Sequence, residues 1–197
     1  TYSNIELVVQ SCHNRCFTDE QYKSKGIKVV DNLNNCDVIL GVKEIPIKLL
    51  LSNKTYFYFS HTIKKQPYNR ELLKKMIEKK IAMVDYEVLK DHHGKRLIGF
   101  GRYAGIIGAY NALLTYGLKS GKYTLKPAYK CKDRFEMEEE LSKLKLDNEK
   151  IVVTGTGRVG EGVIEILKKS DIKKTSINDF INKKYNKAVH KQLYYIF

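Results

Sequence analysis

Short apolar runs separated by polar segments recur along the first part of the chain. Runs rich in Ile, Val and aromatic residues are typical of buried strands. Leu72, Leu73, Met76 and Ile77 form one stripe at helical spacing, which predicts an amphipathic helix over residues 70–79. A shorter helix is predicted over residues 19–25, and strands over residues 5–9, 27–30, 36–40, 55–59 and 81–84. Because strands and helices alternate, we expect an α/β domain with a mostly parallel sheet.

A different pattern covers residues 103–118, which are nearly uncharged and rich in Ala and Gly. A helix that is apolar all round is expected to be buried between layers or domains. Its small residues permit close helix approach, so Gly108→Leu is expected to destabilise the protein by overpacking. A membrane helix is the alternative, but the segment is shorter than the roughly 20 residues of a span and contains Tyr and Asn.

The stretch 150–162 reads as a strand, a Gly-x-Gly-x-x-Gly turn and the start of a helix, which is the context that a dinucleotide fingerprint requires. The first glycine permits the tight turn, the second lets the backbone approach a pyrophosphate, and the third allows close helix–strand packing. A glycine-rich turn that binds nothing is the alternative. The predicted cofactor-binding residues are Gly155, Gly157, Arg158, Val159 and Gly160.

About forty residues follow this motif, whereas a complete dinucleotide domain consists of two mononucleotide-binding halves. We therefore expect the chain to be a piece of a larger protein. The predicted organisation is a substrate domain over residues 1–124 that includes the interdomain helix 103–118, a connecting segment over 125–149, and a partial dinucleotide-binding domain over 150–197.

The formal net charge is +14, which by itself favours an anionic partner. The lysines lie on predicted helix faces and no nucleic-acid motif is present, so we predict acidic small molecules and not nucleic acid or a membrane. The four cysteines show no paired spacing, and Cys12-His13-x-x-Cys16 lacks a second half-site, so no metal site is predicted. Reduced thiols indicate a cytoplasmic protein. A homo-oligomer is compatible with these features.

Polar residues that follow each strand are the candidates for chemistry, because ligands bind beyond the carboxyl ends of parallel strands. Lys43 can act as an acid or base if its surroundings tune it, and the imidazole of His61 is a group suited to proton transfer. A solvated turn at Lys43 and a strand-end hydrogen bonder at His61 are the alternatives. The candidates after successive strands are Arg15, then Lys43 and Glu44, then His61, Lys64 and Gln66, then Asp85 and Glu87.

Four segments occur in an order and spacing that are specific: residues 41–46, 56–66, 85–87 and 94–105. They read Gly-Val-Lys-Glu-Ile-Pro, Tyr-Phe-Tyr-Phe-Ser-His-Thr-Ile-Lys-Lys-Gln, Asp-Tyr-Glu, and Gly-Lys-Arg-Leu-Ile-Gly-Phe-Gly-Arg-Tyr-Ala-Gly. This series resembles the saccharopine dehydrogenase (L-lysine-forming) and lysine-ketoglutarate reductase group, which is related to alanine dehydrogenase and the transhydrogenase nucleotide-binding subunit.

The resemblance implies two Rossmann-like domains, of which the second binds NAD or NADP. It implies a reversible reaction in which an amino acid and a keto acid condense to an imine that accepts a hydride. By motif position, Lys43 and His61 match acid/base residues, and Arg96 matches an arginine that meets a substrate carboxylate. The remaining matches are Glu44 and Glu87 as acidic residues beside the lysine, and Lys64 and Gln66 in the histidine loop.

The chain departs from this family in two respects. An opening strand and helix are absent, so the expected amino-terminal domain has its first strand missing. The acidic residue expected about twenty residues after the glycines is replaced by lysines and hydroxyls over residues 172–176, which favours NADP over NAD. The alternatives are an alanine-dehydrogenase-like enzyme that acts on another amino acid, and a non-catalytic nucleotide-binding fragment.

Overall fold

The computed structural model describes residues 4–193 and divides the chain into two compact units, Thr1–Gly99 and Phe100–Phe197. Its named strands all pair in parallel, and α-helices lie between several of them, so the predicted α/β class is confirmed. Among the described residues, no helix combines the length and the apolarity that crossing a membrane requires.

The first unit contains two parallel sheets where the sequence predicted one. Strands β1 (Val8–Gln10) and β2 (Lys28–Val30) form a pair connected through helix α1 (Asp19–Lys23). Strands β3 (Val38–Lys43), β4 (Thr55–Phe59) and β5 (Ala82–Asp85) form a three-stranded sheet in chain order. Helix α2 (Arg70–Glu78) connects β4 to β5 and buries Leu72 and Met76 of the predicted stripe, whereas Leu73 and Ile77 are 43% and 69% exposed. The core comprises Ile39, Leu50, Tyr56, Tyr58, Leu72 and Met76.

An irregularity near the end of β3 positions a predicted site residue. The register runs evenly from Val38 to Leu40 and then shifts, so that Lys43 pairs with Phe59. An even register would have paired Val42 with Phe59, so β3 carries one extra residue here. A bulge of this kind re-aims the side chains that follow it and is common next to active sites.

The second unit is a three-stranded parallel sheet with helices. Strand β6 (Lys150–Thr154) pairs with β8 (Val189–Leu193), which also pairs with the two-residue strand β7 (Lys173–Lys174). The helices are α3 (Arg102–Ser120), α4 (Arg134–Glu140), α5 (Arg158–Lys169) and α6 (Ile177–Asn182). The core residues include Ile106, Tyr110, Leu113, Met137, Val153, Ile166 and Leu167.

Helix α3 packs on α5 through glycines. A Cβ on Gly105 would lie 1.9 Å from the carbonyl oxygen of Val159, and a Cβ on Gly162 would lie 2.0 Å from that of Arg102. The predicted close approach is therefore confirmed, and it joins α3 to the second unit, whereas the sequence assigned this helix to residues 1–124. Arg102 adds a bidentate ion pair with Glu165, with contacts of 2.8 and 2.7 Å.

Burial of α3 is confined to one face within the described residues, although the sequence predicted burial all round. Ile106 is 1% exposed, whereas Leu118 is 61% exposed. Gly108 is not a position of close helix approach, because no atom lies within 4 Å of the position that a Cβ on Gly108 would occupy. Gly108 instead lines a cavity of about 540 Å³ together with residues of β6 and α5.

Candidate active site

The ends of β4 and β5 bring a histidine and a glutamate together. His61 follows β4, Glu87 follows β5, and the register pairs Tyr58 with Asp85 just before them. As a result, His61 Nδ1 lies 2.9 Å from Glu87 Oε2. The parallel pairing of two neighbouring strands thus brings together two side chains that are 26 positions apart in the chain, and they form a hydrogen bond.

Two cations complete a group that we call the Glu87 cluster: His61, Lys64, Glu87 and Arg96. Lys64 Nζ lies 3.1 Å from Glu87 Oε1, and Arg96 Nη2 lies 3.9 Å from the same oxygen. A small antiparallel bridge between Lys90 and Arg96 holds the arginine at this distance. Four of the eight predicted catalytic and substrate-binding residues therefore lie in one cluster.

The carboxylate of Glu87 is largely buried, with 12% of its side chain exposed. Burial acts to raise its pKa, but hydrogen bonds from His61 and Lys64 and the Lys64 charge outweigh it and lower the pKa below the ordinary 4.5. Glu87 is accordingly ionised at neutral pH, where it accepts hydrogen bonds from His61 and Lys64 and forms a longer ion pair with Arg96.

His61 Nδ1 has two neighbours that make opposite demands on it. A protonated Nδ1 donates to Glu87 Oε2, whereas an unprotonated Nδ1 accepts from Lys64 Nζ at 3.2 Å. In the neutral tautomer that donates to Glu87, Nε2 carries the lone pair and can take a proton. The ring also stacks on Phe59, with centroids 6.4 Å apart and planes 20° apart.

Lys43 and Glu44 lie at the same edge of the sheet. Lys43 is exposed, and its pairing with Phe59 places it beside the residue on which His61 stacks. Glu44 Oε2 is buried and has no hydrogen-bond partner among residues 4–193. Burial, and to a smaller extent the charges of Tyr56, Glu44 and Asp85, raise the pKa of Tyr58 to about 12.

Arg15 and Gln66 do not join the Glu87 cluster. Arg15 Nη1 donates to the carbonyl of Gln10 at 2.7 Å and its Nε to that of Phe17 at 2.8 Å. Its guanidinium also forms an ion pair with Asp19 and lies over the ring of Tyr22. These contacts hold the loop between β1 and α1, while Gln66 accepts a hydrogen bond from Tyr68 Oη at 2.8 Å.

We expect Glu87→Gln to lower the free energy of unfolding by roughly 1–3 kcal/mol at neutral pH, because charged hydrogen bonds are lost. The pKa of Glu87 is lowered in the folded state, so its stabilisation is present above pH 4.5 and lost as the pH falls through the lowered value. The difference between parent and variant should therefore shrink with acidification. Urea unfolding followed by circular dichroism between about pH 7 and pH 3 measures it.

Glu71→Gln is the matched control for this experiment, since Glu71 forms an exposed ion pair with Lys74 on α2. Exposed pairs of this kind contribute little to stability. A difference for Glu87→Gln that stays constant, or grows, as the pH falls would contradict the expected role of the carboxylate.

In the second unit, the predicted glycine turn adopts the conformation that the motif requires. Gly155 has φ of +86°, which L side chains rarely adopt, and a Cβ on Gly160 would lie 2.5 Å from the Gly155 carbonyl oxygen. Gly157 is the N-cap of α5 without a side-chain cap, and no atom lies within 4 Å of the position for its Cβ. The turn is held by Gln192 Nε2, which donates to the Gly155 oxygen at 2.8 Å.

The two other predicted cofactor-binding residues lie at the start of α5. Val159 is exposed, and its carbonyl faces Gly105. The Arg158 side chain lies against Gly101, whose Cβ would be 3.2 Å from Arg158 Cβ. Free backbone amides at the start of a helix favour an anion, so the turn fits a pyrophosphate.

The strand order differs from that of the dinucleotide fold, in which the second strand lies beside the first. Here β8 lies between β6 and β7. The cations at the end of β7, on which the preference for NADP rested, are therefore one strand further from the glycine turn than that argument assumed. Ser176 in the same stretch caps α6 by accepting from the amide of Asp179.

Sequence reasoning did not identify Ser60 or Gln192, and it named Asp85 only as one of the candidates for chemistry after a strand. Ser60 and Asp85 join the ends of β4 and β5, and Gln192 ties β8 to the glycine turn. Ser60 directly follows β4, and this position is the signal that could have identified it. Gln192 lies 37 residues from its partner and carries no local signal.

Parallel sheets, connecting helices and a glycine turn at a helix start define a Rossmann-like α/β protein. Residues 1–107 match the family described as alanine dehydrogenase/PNT, N-terminal domain. The chain belongs to this family.

Comparisons with individual proteins agree with the resemblance seen in the sequence. The chain is 37% identical over 119 residues to the mitochondrial alpha-aminoadipic semialdehyde synthase of Mus musculus, a match covering 60% of this chain and 13% of that protein. It is 27% identical over 188 residues to the saccharopine dehydrogenase [NAD(+), L-lysine-forming] of Neurospora crassa, covering 87% of this chain and 50% of that protein. The resemblance to the saccharopine dehydrogenase group is thereby confirmed.

Two solved structures share the fold. An L-alanine dehydrogenase superposes with a TM-score of 0.53 at 13% identity, over 90% of this chain and 48% of that chain. A transhydrogenase from Sinorhizobium meliloti superposes with a TM-score of 0.51 at 15% identity, over 78% of this chain and 43% of that chain. The chain thus spans about half the length, or less, of the proteins that it matches.

Proposed function

We propose that this chain is part of an NAD(P)-dependent amino-acid oxidoreductase of the saccharopine dehydrogenase type. The reaction is hydride transfer to or from an imine that joins an amino acid and a keto acid. The observation that carries the proposal is the contact between His61 Nδ1 and Glu87 Oε2, with Lys64 and Arg96 around the same carboxylate. All four residues belong to the segments that resemble this group.

The charge of the Glu87 cluster suits anionic substrates. Lys64 and Arg96 carry two positive charges beside a single carboxylate, so the cluster remains cationic with a neutral His61. The Arg96 side chain is 41% exposed, and its guanidinium can form the paired hydrogen bonds that carboxylates favour. We assign Arg96 and Lys64 to the carboxylates of the keto acid and the amino acid.

His61 is assigned to proton transfer. With Nδ1–H donating to Glu87, Nε2 accepts a proton from the amine, and the carboxylate stabilises the imidazolium that forms. Lys43 is assigned as the second acid/base group, because the bulge in β3 pairs it with Phe59 at the edge where His61 lies. Glu44 follows Lys43 directly and supplies negative charge beside it.

The glycine turn is assigned to the pyrophosphate of a nicotinamide dinucleotide, which supplies or takes the hydride when bound. The amides at the start of α5 would hold the phosphates, and the open space at Gly157 leaves room for them. The name of the Neurospora crassa relative specifies NAD(+). The cations at residues 172–176 favour NADP by charge alone, so both cofactors belong in the assay.

The test is oxidation of NADH and NADPH by the full-length protein with 2-oxoglutarate and lysine. Turnover that requires both organic substrates is expected. Turnover with pyruvate and ammonia instead would favour the second candidate, an alanine-dehydrogenase-like enzyme, for which the shared family and the L-alanine dehydrogenase fold are the supporting observations. If no pair of substrates supports turnover while the dinucleotide binds, the proposal fails in favour of a nucleotide-binding module.

Gly157→Ala is expected to weaken dinucleotide binding by about 10-fold or more, a loss of roughly 1.4 kcal/mol. Its Cβ meets no protein atom within 4 Å, so it would occupy the space assigned to the pyrophosphate. The stability of the protein should fall by no more than about 1 kcal/mol, which is the scale of N-cap effects. Calorimetric titration with NADH and NADPH, alongside thermal unfolding, measures both quantities.

Gly108→Ala is the control, because it adds the same methyl group at an open position on α3. Unchanged dinucleotide affinity in Gly157→Ala would remove the glycine turn from the binding site.

A further inference from the structure

A buried aspartate lies behind the Glu87 cluster. Asp85 ends β5 and is 8% exposed, and Ser60, which directly follows β4, is completely buried. Neither residue belongs to the proposed binding and catalytic groups. Their position between the backbone segments that carry His61 and Glu87 indicates that they serve those two side chains.

Asp85 joins the two segments because each of its carboxylate oxygens accepts a hydrogen bond. Oδ2 accepts from Ser60 Oγ at 2.6 Å, and Oδ1 accepts from the backbone amide of Glu87 at 2.8 Å. One carboxylate therefore links the residue before His61 to the residue that His61 contacts. A carboxylate suits this position because it accepts at both oxygens.

The chain of hydrogen bonds continues to the other side of His61. Ser60 Oγ lies 2.8 Å from Thr62 Oγ1 and accepts from the Thr62 amide at 3.2 Å. Because Ser60 gives its single proton to Asp85, Thr62 is the donor in the hydroxyl pair. The residues on both sides of His61 are thus tied to Asp85.

His61 needs this support because its backbone is left-handed, with φ of +56°. Residues other than glycine rarely hold this conformation unless their surroundings impose it. The left-handed turn is also what directs the imidazole toward Glu87 and onto Phe59.

We propose that Asp85, acting through Ser60, is a positioning residue that sets the His61 imidazole and the Glu87 carboxylate at hydrogen-bonding distance for proton transfer. This inference rests on the proposed function of His61. Asp85 itself touches neither substrate nor cofactor, so its removal should lower turnover while substrate binding by Lys64 and Arg96 persists.

Asp85→Asn in the full-length protein tests the proposal. The side chain of Asn accepts through its oxygen but not through its NH2 group, so either the hydrogen bond from Ser60 or that from the Glu87 amide is lost. We expect kcat to fall by up to about 100-fold, as small misplacements of reacting groups do, with KM changed much less. Ser60→Ala should act in the same direction, and Ser60→Thr should recover activity because it keeps the hydroxyl.

A second readout does not depend on activity. Nitrogen-15 NMR of the imidazole, with the His61 signals assigned by their loss in His61→Gln, reports whether Nδ1 carries a hydrogen-bonded proton. Asp85→Asn and Ser60→Ala should shift these signals, and Ser60→Thr should retain them. If the parent protein turns over no substrate, the proposed function fails, and the NMR result still decides whether Asp85 positions His61.

Tyr56→Phe is the matched control. Tyr56 is a buried residue of β4 whose hydroxyl accepts from the amide of Leu51 at 2.8 Å, so the variant also loses one hydrogen bond in the same strand. Its kcat and His61 signals should match the parent. An equal loss of kcat in Tyr56→Phe would overturn the proposal, as would parental kcat and His61 signals in folded Asp85→Asn. If Asp85→Asn does not fold, the comparison of Ser60→Ala with Ser60→Thr tests the proposal in its place.

Discussion

Replacing His61 with Gln is expected to lower kcat of the full-length protein by roughly 10²–10⁴-fold, the contribution of a positioned acid or base. Gln cannot exchange a proton near neutrality, yet its amide can still donate toward Glu87, so the cluster should keep its shape. The measurement is steady-state oxidation of NADH or NADPH with the substrates that the parent protein uses. The dinucleotide Kd should be unchanged, since the glycine turn lies in a different unit of the chain.

His93→Gln is the matched control for His61→Gln. His93 is exposed within the turn between Leu89 and Leu97, where its ring contacts that of His92. The same chemical change there should leave kcat within about twofold of the parent, as is usual for surface sites away from the chemistry. Parental kcat in His61→Gln would remove His61 from the mechanism and leave Lys43 as the remaining acid/base candidate.

Gly105→Ala is expected to destabilise the second unit by roughly 3 kcal/mol or more. The added Cβ would lie 1.9 Å from the Val159 carbonyl oxygen and 2.9 Å from the Val163 nitrogen, which are backbone atoms of α5. Backbone cannot move aside as a flexible side chain can, so α3 and α5 must separate. Overpacking usually costs about 1–3 kcal/mol, and a clash with backbone atoms is expected to exceed that range even after the roughly 1 kcal/mol that Ala gains over Gly in a helix is subtracted.

Gly108→Ala, one turn further along α3, separates the packing effect from helix propensity. Nothing lies within 4 Å of its Cβ position, so this variant should be stabilised by up to about 1 kcal/mol. Urea unfolding followed by circular dichroism measures both variants. Equal stability of Gly105→Ala and Gly108→Ala would show that the glycine contact between α3 and α5 is not tight in solution.

The candidate site shows which contacts could be predicted from the positions of residues relative to strands in the sequence. Residues placed after parallel strands were expected to meet, and His61, Lys64 and Glu87 do so. Arg96, which the family resemblance identified, joins them. Arg15 follows a strand by the same rule, but its donors are taken by Gln10, Phe17 and Asp19. The rule predicts at which edge of the sheet a residue lies. The hydrogen-bond partners of an arginine such as Arg15 depend on the loop around it.

The sequence by itself determined the local structural elements. Apolar runs specify strands, a Leu and Met stripe specifies α2, and the glycines specify the turn before α5, because each signal lies within one element and its neighbours. The resemblance, carried by motif order, likewise needed no coordinates and was confirmed by the family match.

The tertiary structure decided which distant groups meet. Strand pairing brought Glu87 to His61 and put β8 between β6 and β7, and neither neighbour relation is encoded within a strand. The way in which α3 packs on α5 places Gly105 against the α5 backbone and leaves the Cβ position of Gly108 without neighbours. The two glycines look alike in the sequence. Such contacts join residues far apart in the chain, and their geometry follows from the packing of whole elements and not from the composition of any one of them.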